Sequence, residues 1–373
     1  MTEPTVSPLN LAIQPGRAAG PFALGMPMDM LINAIRTEPC IVKTDFKYSN
    51  TSPLGVDIVL DLVDNGICFR IDPVSQRLKC IELYEFSKLR LTYKSIDFSS
   101  NKHLATFILI YKTFGPTNPG EYLADYRYSL KYPGISFLFP IPEKYFPTKK
   151  TNDLPLSLPD GSTPIVNRIY IYQGESWARA VPPALASRDV LSEKLVIKAG
   201  THVTFTRKAC AIEFGCMSQD VLAQLGRPSV SFFKQDDKMN IHGAREQRFQ
   251  RPSKYYIWSY FLLGIDIFFD TYTHTVKKFA FHTNFPGQYD FNRYRKCNFE
   301  IASESKAQNV TSDSTWTEIL QAFGEPLGDP VIFDRGPTTP FGATSFYGYK
   351  GLIFEIMKNG YICSLTMYQC GNT

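Results

Sequence analysis

Apolar and polar positions alternate along most of this chain, which predicts strands, and the alternation gives way at four places to helical spacing. Cys68-Phe69-Arg70-Ile71 reads as one strand, Asp72-Pro73 as the start of a turn, and Leu78 to Leu83 as the returning strand. An aspartate at a turn start hydrogen-bonds its own backbone and releases the chain from the ladder. The phrase returns at a constant offset of 198 residues. Gly66 falls on Gly264, Asp72 on Asp270, Leu78 on Val276 and Lys79 on Lys277, without a gap. Ile265 to Phe269 and Val276 to His282 are the second hairpin.

Helices precede these hairpins. Ser218 to Leu225 places Val221, Leu222 and Leu225 on one face, with Ser218 as N-cap, Gly226 as stop and Pro228 beyond it. Thr315 to Phe323 repeats the arrangement, with Thr315 and Glu318 as a capping box and Gly324 and Pro326 at its end. Ala105 to Phe114 runs into Gly115-Pro116, and Met28 to Arg36 is followed by Pro39. Near the C-terminus, Asn359-Gly360 joins the apolar runs Gly351 to Ile356 and Tyr361 to Tyr368, a strong hairpin signal.

Self-similarity of this kind indicates duplicated supersecondary units. The pattern predicts about four tandem units, each a short helix followed by an antiparallel meander, over roughly 22–98, 102–175, 212–300 and 314–370. The expected class is α+β, with short helices packed on one face of curved antiparallel sheets. Residues 1–185 form the expected N-terminal half and 212–373 the C-terminal half. A connecting hairpin is expected at 186–211, from Leu195-Val196-Ile197 and Val203-Thr204-Phe205 turning at Ala199-Gly200. Residues 143–164 read as an exposed loop and 302–314 as a polar, mobile stretch.

Composition adds little to this picture. The chain has 373 residues, 44% of them hydrophobic and 20% charged, an ordinary globular balance rather than a disordered one. Its 28 Phe and 21 Tyr favour strands. A formal charge of +5 is too slight to suggest a nucleic-acid partner, although it permits weak attraction to an anionic surface. No apolar run has transmembrane length, and Met1 to Gln14 lacks the basic and apolar regions of a signal peptide. Thr2 excludes myristoylation, and Cys370 opens no prenylation box. Eight cysteines without a CxxC pair read as buried thiols of a reducing, cytoplasmic compartment. The sequons at Asn50 and Asn309 carry no weight without secretion.

Candidate chemistry is sparse. The sequence holds no GxSxG, HExxH, GxxxxGK[ST] or GxGxxG, and its five histidines show no metal-ligand spacing. Asp57 and Asp61 share one face of a predicted strand and would suit a shared proton, but a solvated face explains them more simply. Asp72 and Asp270 read as turn formers, and Cys40 and Cys216 as packing residues. Basic clusters remain: Arg245, Arg248, Arg251 and Lys254; Lys277 and Lys278; and Arg293, Arg295 and Lys296 interleaved with Phe291 and Tyr294. Such mixtures suit an acidic protein surface, a phosphoinositide headgroup or single-stranded nucleic acid, although no RNP, KH or zinc-knuckle pattern supports RNA.

Several segments resemble the phagosome assembly factor family. They are KMNIH (238–242), GIDIFFD (264–270), VKKFAFHTNFPGQYDFN (276–292), RIYIYQG (168–174) and GLIFEIMKNGYICSLTMY (351–368), and the likeness runs from Phe22 to Tyr368. The resemblance implies a role in autophagy, in association with a WD40 β-propeller protein of the breast carcinoma amplified sequence type. It also implies recruitment of the pair to phosphoinositide-containing phagophore membrane, with no catalytic residues to carry over. The central region, 175–210, looks shorter than the family pattern, and 143–164 looks divergent. The repeated helix and strands are also distantly like the β-lactamase-inhibitor and outer-membrane-lipoprotein fold, an analogy of fold alone.

The sequence therefore reads as a non-enzymatic adaptor without metal or cofactor, cytoplasmic and peripheral at the phagophore. Phe285, Tyr289, Phe291, Arg293, Tyr294, Arg295 and Lys296, with Lys277 and Lys278, are the expected partner or lipid surface. On this reading, Tyr294→Ala with Arg295→Ala weakens partner capture at little cost in thermal stability. The alternatives are direct phosphoinositide binding without the partner, and an enzyme with an unfamiliar site.

Overall fold

A computed structural model describes residues 8–41, 43–100, 103–147, 154–186, 189–233, 254–301, 309–334 and 342–369. The chain divides into two compact units, Met1–Ala184 and Leu185–Thr373.

The first unit runs β1 (Leu9–Gln14), β2 (Ala18–Ala19), β3 (Phe22–Ala23), α1 (Met28–Thr37), β4 (Asp45–Lys47), β5 (Ile58–Leu62), β6 (Ile67–Ile71), β7 (Leu78–Leu83), β8 (Leu89–Tyr93) and β9 (Ile96–Ser99). It continues with α2 (Phe107–Phe114), β10 (Glu121–Leu123), β11 (Arg127–Tyr132), β12 (Ile135–Pro140) and β13 (Arg168–Tyr172). The second unit runs β14 (Leu195–Lys198), β15 (His202–Phe205), β16 (Cys210–Glu213), α3 (Ser218–Leu225), β17 (Val230–Phe233), β18 (Tyr255–Tyr260), β19 (Ile265–Asp270) and β20 (Val276–His282). It ends with β21 (Phe299–Ile301), β22 (Val310–Thr311), α4 (Trp316–Phe323), β23 (Val331–Phe333), β24 (Thr344–Tyr349), β25 (Leu352–Ile356) and β26 (Ile362–Tyr368).

Each unit holds one eight-stranded and one five-stranded sheet. The eight-stranded sheets have the orders β10-β11-β12-β13-β7-β6-β5-β4 and β17-β18-β19-β20-β26-β25-β24-β23. Each is two antiparallel meanders joined through their last strands, β7 to β13 and β20 to β26. Among the described residues, every meander follows one of four α-helices.

The same contacts dock each of these helices. The residue before the helix forms an isolated bridge to a residue ahead of the fourth strand, in the pairs Pro27 with Arg77, Thr106 with Ile165, Met217 with Thr275 and Thr315 with Tyr361. The first helical N–H then donates to the carbonyl of the residue before that bridge partner. The bonds are Met28 to Gln76 at 3.0 Å, Phe107 to Pro164 at 2.8 Å, Ser218 to His274 at 2.9 Å and Trp316 to Gly360 at 2.7 Å. A helix start leaves N–H groups without intrahelical partners, and here the sheet supplies one acceptor each time. Thr315 and Glu318 form the capping box, with the Thr315 N–H donating to the Glu318 carboxylate at 2.8 Å. Ser218 is the first helical residue rather than the cap. Met217 holds the cap position, and its N–H donates to Asp220 at 3.3 Å.

The five-stranded sheets, β3-β2-β1-β8-β9 and β16-β15-β14-β21-β22, each contain one parallel pair. Leu9 pairs with Leu89 in the first and Leu195 with Phe299 in the second. The 186–211 hairpin thus lies inside the second unit's sheet. In that unit Leu195, Ile197 and Phe205 of the small sheet and Val221 and Ile319 of the helices share one core with Ile267, Phe279, Phe354 and Leu365 of the large sheet. Helices and small sheet thus cover one face of the large sheet.

Two expectations are corrected. Within 143–164, Leu154 and Leu158 are buried and Glu143–Tyr145 is a helical turn, so apolar side chains pin parts of that loop. Within 302–314, Val310–Thr311 is a strand paired with β21, while residues 302–308 lie outside the described ones.

Candidate functional site

The loop from Thr283 to Cys297, on which the sequence places the interface, is held at many points. Thr283 Oγ1 donates to the carbonyls of Ile362 and Cys363 at 2.6 and 2.8 Å. The Asn292 N–H donates to Asn284 Oδ1 at 2.6 Å. At its far end the Arg295 N–H reaches the Phe261 carbonyl and the Cys297 N–H the His282 carbonyl, both at 2.9 Å.

Gly264 lets the loop come this close. Its φ is +69°, and a Cβ there would stand 2.4 Å from the Arg295 carbonyl oxygen. Gly66, its counterpart at the 198-residue offset, has φ +68°, and a Cβ there would stand 2.7 Å from the Glu85 backbone. Their carbonyls accept from His282 and Tyr84 at 2.9 Å each.

Tyr294 is the loop's anchor. It is buried, stacks on His282 with ring centroids 3.8 Å apart, and meets Phe261 edge-on. Its hydroxyl donates to the buried Asp266 carboxylate at 2.9 Å, and His282 Nε2 approaches the same carboxylate at 3.0 Å. Burial, with the Asp266 charge beside it, pushes the Tyr294 hydroxyl well above the usual phenol range. This is a filled cluster in which the polar atoms satisfy one another.

Of the nine residues expected at the interface, Phe285 and Tyr294 are inside the protein. Phe285 packs on Tyr361, and the Lys296 ammonium lies 5.6 Å above its ring while pairing with Asp313. Phe291 and Arg295 are half-buried. Tyr289 is 58% exposed, and the Arg293 side chain, paired with Asp290 at 3.4 Å, is also at the surface. The expectation that Tyr294→Ala with Arg295→Ala costs little thermal stability is therefore corrected, because the Tyr294 ring is part of the packing. Lys277 and Lys278 open β20, whereas the loop leaves its far end. Five residue steps separate Lys278 from Thr283, about 17 Å at strand rise. The structure does not bring these lysines to the loop. Lys278 lies 4.9 Å over the Tyr255 ring and Lys254 5.4 Å over the same ring. Arg245, Arg248 and Arg251 lie outside the described residues.

The carboxylates are structural. Asp57 pairs with Lys79 at 2.7 Å, and Asp61 accepts from Tyr84 at 2.8 Å. Asp72 accepts from the Ser75 N–H at 2.7 Å, and Asp270 from the N–H groups of Tyr272 and Thr273 at 3.0 Å. Those backbone bonds, Thr273's foremost, hold the Asp270 carboxyl below its usual range. The buried Glu82 accepts from Arg70 at 3.0 Å and Tyr170 at 3.1 Å, and pairs with Arg168. Burial pushes the Cys68 and Cys80 thiols up to about 12, which suits packing and not nucleophilic use. A cleft of about 480 Å³ in the first unit is lined by Tyr84, Ser99, His103 and Ile165 among others, with Asp57 and Asp61 outside its lining. Among the described residues no three His, Cys, Asp or Glu side chains converge as metal ligands, and no helix is long and apolar enough to cross a membrane.

Sequence reasoning missed one surface. β23 is the outer strand of its sheet, and Leu327, Val331 and Ile332 are 73%, 66% and 71% exposed. The run Pro330-Val331-Ile332-Phe333 was visible, but its place at an edge was not.

Among the described residues the fold is that of an α+β protein, with short helices and antiparallel and mixed sheets. The phagosome assembly factor 1 (PHAF1) pattern matches residues 18–368. The PHAF1 protein At3g51130 of Arabidopsis thaliana is 38% identical, over 96% of this chain and 92% of the relative. The PHAF1 protein CG7083 of Drosophila melanogaster is 33% identical, over 96% and 94%. The PHAF1 protein T01G9.2 of Caenorhabditis elegans is 31% identical, over 93% and 90%. The chain belongs to the PHAF1 family. The crystal structure of an extracellular SCP-domain protein from Bacillus anthracis matches 42% of this chain and 44% of its own, with 10% identity and a TM-score of 0.23, too little to bear on the fold.

Proposed function

We propose that this protein is a non-enzymatic autophagy adaptor, cytoplasmic and peripheral at the phagophore, which binds a WD40 β-propeller protein of the breast carcinoma amplified sequence type. On this reading the pair is recruited together to phosphoinositide-containing membrane. Family membership along 18–368 is the observation that carries it. The four helix-and-meander segments, docked by the same bridge and hydrogen bond, are read here as copies of one unit. In the loop 283–297, Tyr289, Phe291, Arg293 and Arg295 would face the partner, while Phe285, Tyr294 and Lys296 hold the loop in shape.

A second reading, direct lipid binding, draws on Lys254 and Lys278 gathered over Tyr255, with Lys277 beside them. Flotation with phosphatidylinositol-3-phosphate vesicles separates the two. The chain is expected to float only when the propeller protein is added. Flotation of the chain alone, weakening as salt screens its lysines, favours the second reading and contradicts the first.

A further inference from the structure

The second unit shows what fits a surface that is a cleft in the first. The chain passes from β7 to β8 through residues 84–88, and from β20 to β21 through the longer stretch 283–298. Both connections leave the sheet at matching positions. The Tyr84 and His282 N–H groups donate to the carbonyls of Gly66 and Gly264, which stand at the 198-residue offset. Two further stations match. Ile165 and Tyr361 are each the bridge partner of the threonine that precedes a helix, Thr106 in one unit and Thr315 in the other. Leu104 and Asp313 each stand two residues before that threonine.

In the second unit the loop lays Phe285 across these stations. Phe285 is fully buried, and its ring centroid lies 5.3 Å from that of Tyr361. The Lys296 ammonium, 5.6 Å above the Phe285 ring, pairs with Asp313. Thr283 ties the start of the loop to the carbonyls of Ile362 and Cys363. In the first unit the same stations line the cleft of about 480 Å³, whose wall includes Tyr84, Phe86, Leu104, Ile165 and Val166. Leu104 and Ile165 are 65% and 43% exposed there.

We propose that this cleft seats a phenylalanine presented by a loop of a partner protein, in the place where the second unit seats its own Phe285. The inference rests on the adaptor reading and deepens it by naming a surface and the side chain that fits it. The volume falls within the range of about 300–1,000 Å³ for sites that enclose a ligand. It admits a ring together with residues beside it. Phe86, Leu104 and Ile165 offer the ring apolar contact, and Ser87 and His103 add polar groups for the backbone that carries it. Aromatic side chains commonly supply much of the energy of such contacts. A second copy of the chain fits less well. Its Phe285 is inside its own unit, and its loop is bonded at Thr283, Arg295 and Cys297, so lending that ring would break the second unit's packing.

The test uses the full chain and a fluorescein-labelled synthetic peptide with the sequence TNFPGQY (283–289), read by fluorescence anisotropy. The result expected is saturable binding that weakens about tenfold when alanine replaces the phenylalanine of the peptide. Leu104→Asp and Ile165→Asp each set a carboxylate against the ring and are expected to weaken the unaltered peptide by a similar factor. Both change exposed side chains, and either one serves if the other fails to fold. Absence of saturable binding, or equal binding of the two peptides, overturns the proposal, and both are read on the unaltered chain. Binding that neither variant weakens overturns it as well. Concentration-dependent dimers that Leu104→Asp dissolves would show a second copy as the occupant and overturn it too. No propeller protein enters these arms. Peptide binding without propeller co-elution therefore removes only the adaptor reading, and co-elution without peptide binding removes only the cleft.

Discussion

Gly264→Ala is expected to destabilise the second unit by more than about 2 kcal/mol. A left-handed backbone costs a residue with a Cβ roughly 1–2 kcal/mol. Gly264 adds to this the Arg295 carbonyl oxygen 2.4 Å and the Cys297 nitrogen 2.8 Å from the new methyl. Neither atom yields easily, because the Arg295 N–H is bonded to Phe261 in the turn after β18 and the Cys297 N–H to His282 of β20. Gly215→Ala is the matched control. Its φ is +85°, but nothing lies within 4 Å of the added carbon, so only the backbone cost applies. Chemical denaturation of both variants separates the terms. Equal losses would mean that the loop does not press on Gly264.

Tyr294→Ala is expected to cost about 3 kcal/mol, within the range for deleting a buried aromatic side chain. At roughly 2–4 °C per kcal/mol in a unit of this size, the thermal midpoint falls by about 6–12 °C. The ring leaves a void against His282 and Phe261, and the buried Asp266 loses a hydroxyl donor while keeping His282. Tyr294→Phe keeps the packing and removes only that donor, at about 1.5–3 kcal/mol for a bond to a charged group. Arg293→Ala changes an exposed side chain nearby and is expected to shift stability by less than about 0.5 kcal/mol. Calorimetric scans of the three variants check the order. A Tyr294→Ala midpoint equal to that of Arg293→Ala would place the ring at the surface and restore it as a contact residue.

Local patterns carried the helices and hairpins. Val221 and Ile319 recur at helical spacing, Thr315 and Glu318 cap one another, and Asp72 and Asp270 form the turns their positions suggest. The 198-residue offset even located Gly66 and Gly264, both with positive φ and a close backbone neighbour. The five-stranded sheets were not legible, because their parallel pairs join Leu9 to Leu89 and Leu195 to Phe299, and no local spacing encodes such a partner.

The candidate site was legible only in outline, for the same reason. Tyr294 between Arg293 and Arg295 looks like surface, yet Asp266 and His282, far back in the chain, draw it inside. Conversely, Val331-Ile332-Phe333 has the apolar run of a buried strand. Only its place as the last strand of the sheet leaves Val331 and Ile332 exposed.

The central claim is that this chain works by binding a propeller partner, and size-exclusion chromatography of the two purified proteins tests it most directly. The account predicts a stoichiometric complex that elutes ahead of either protein and persists with Gly215→Ala. Separate elution of the two, each folded by calorimetry, would contradict it.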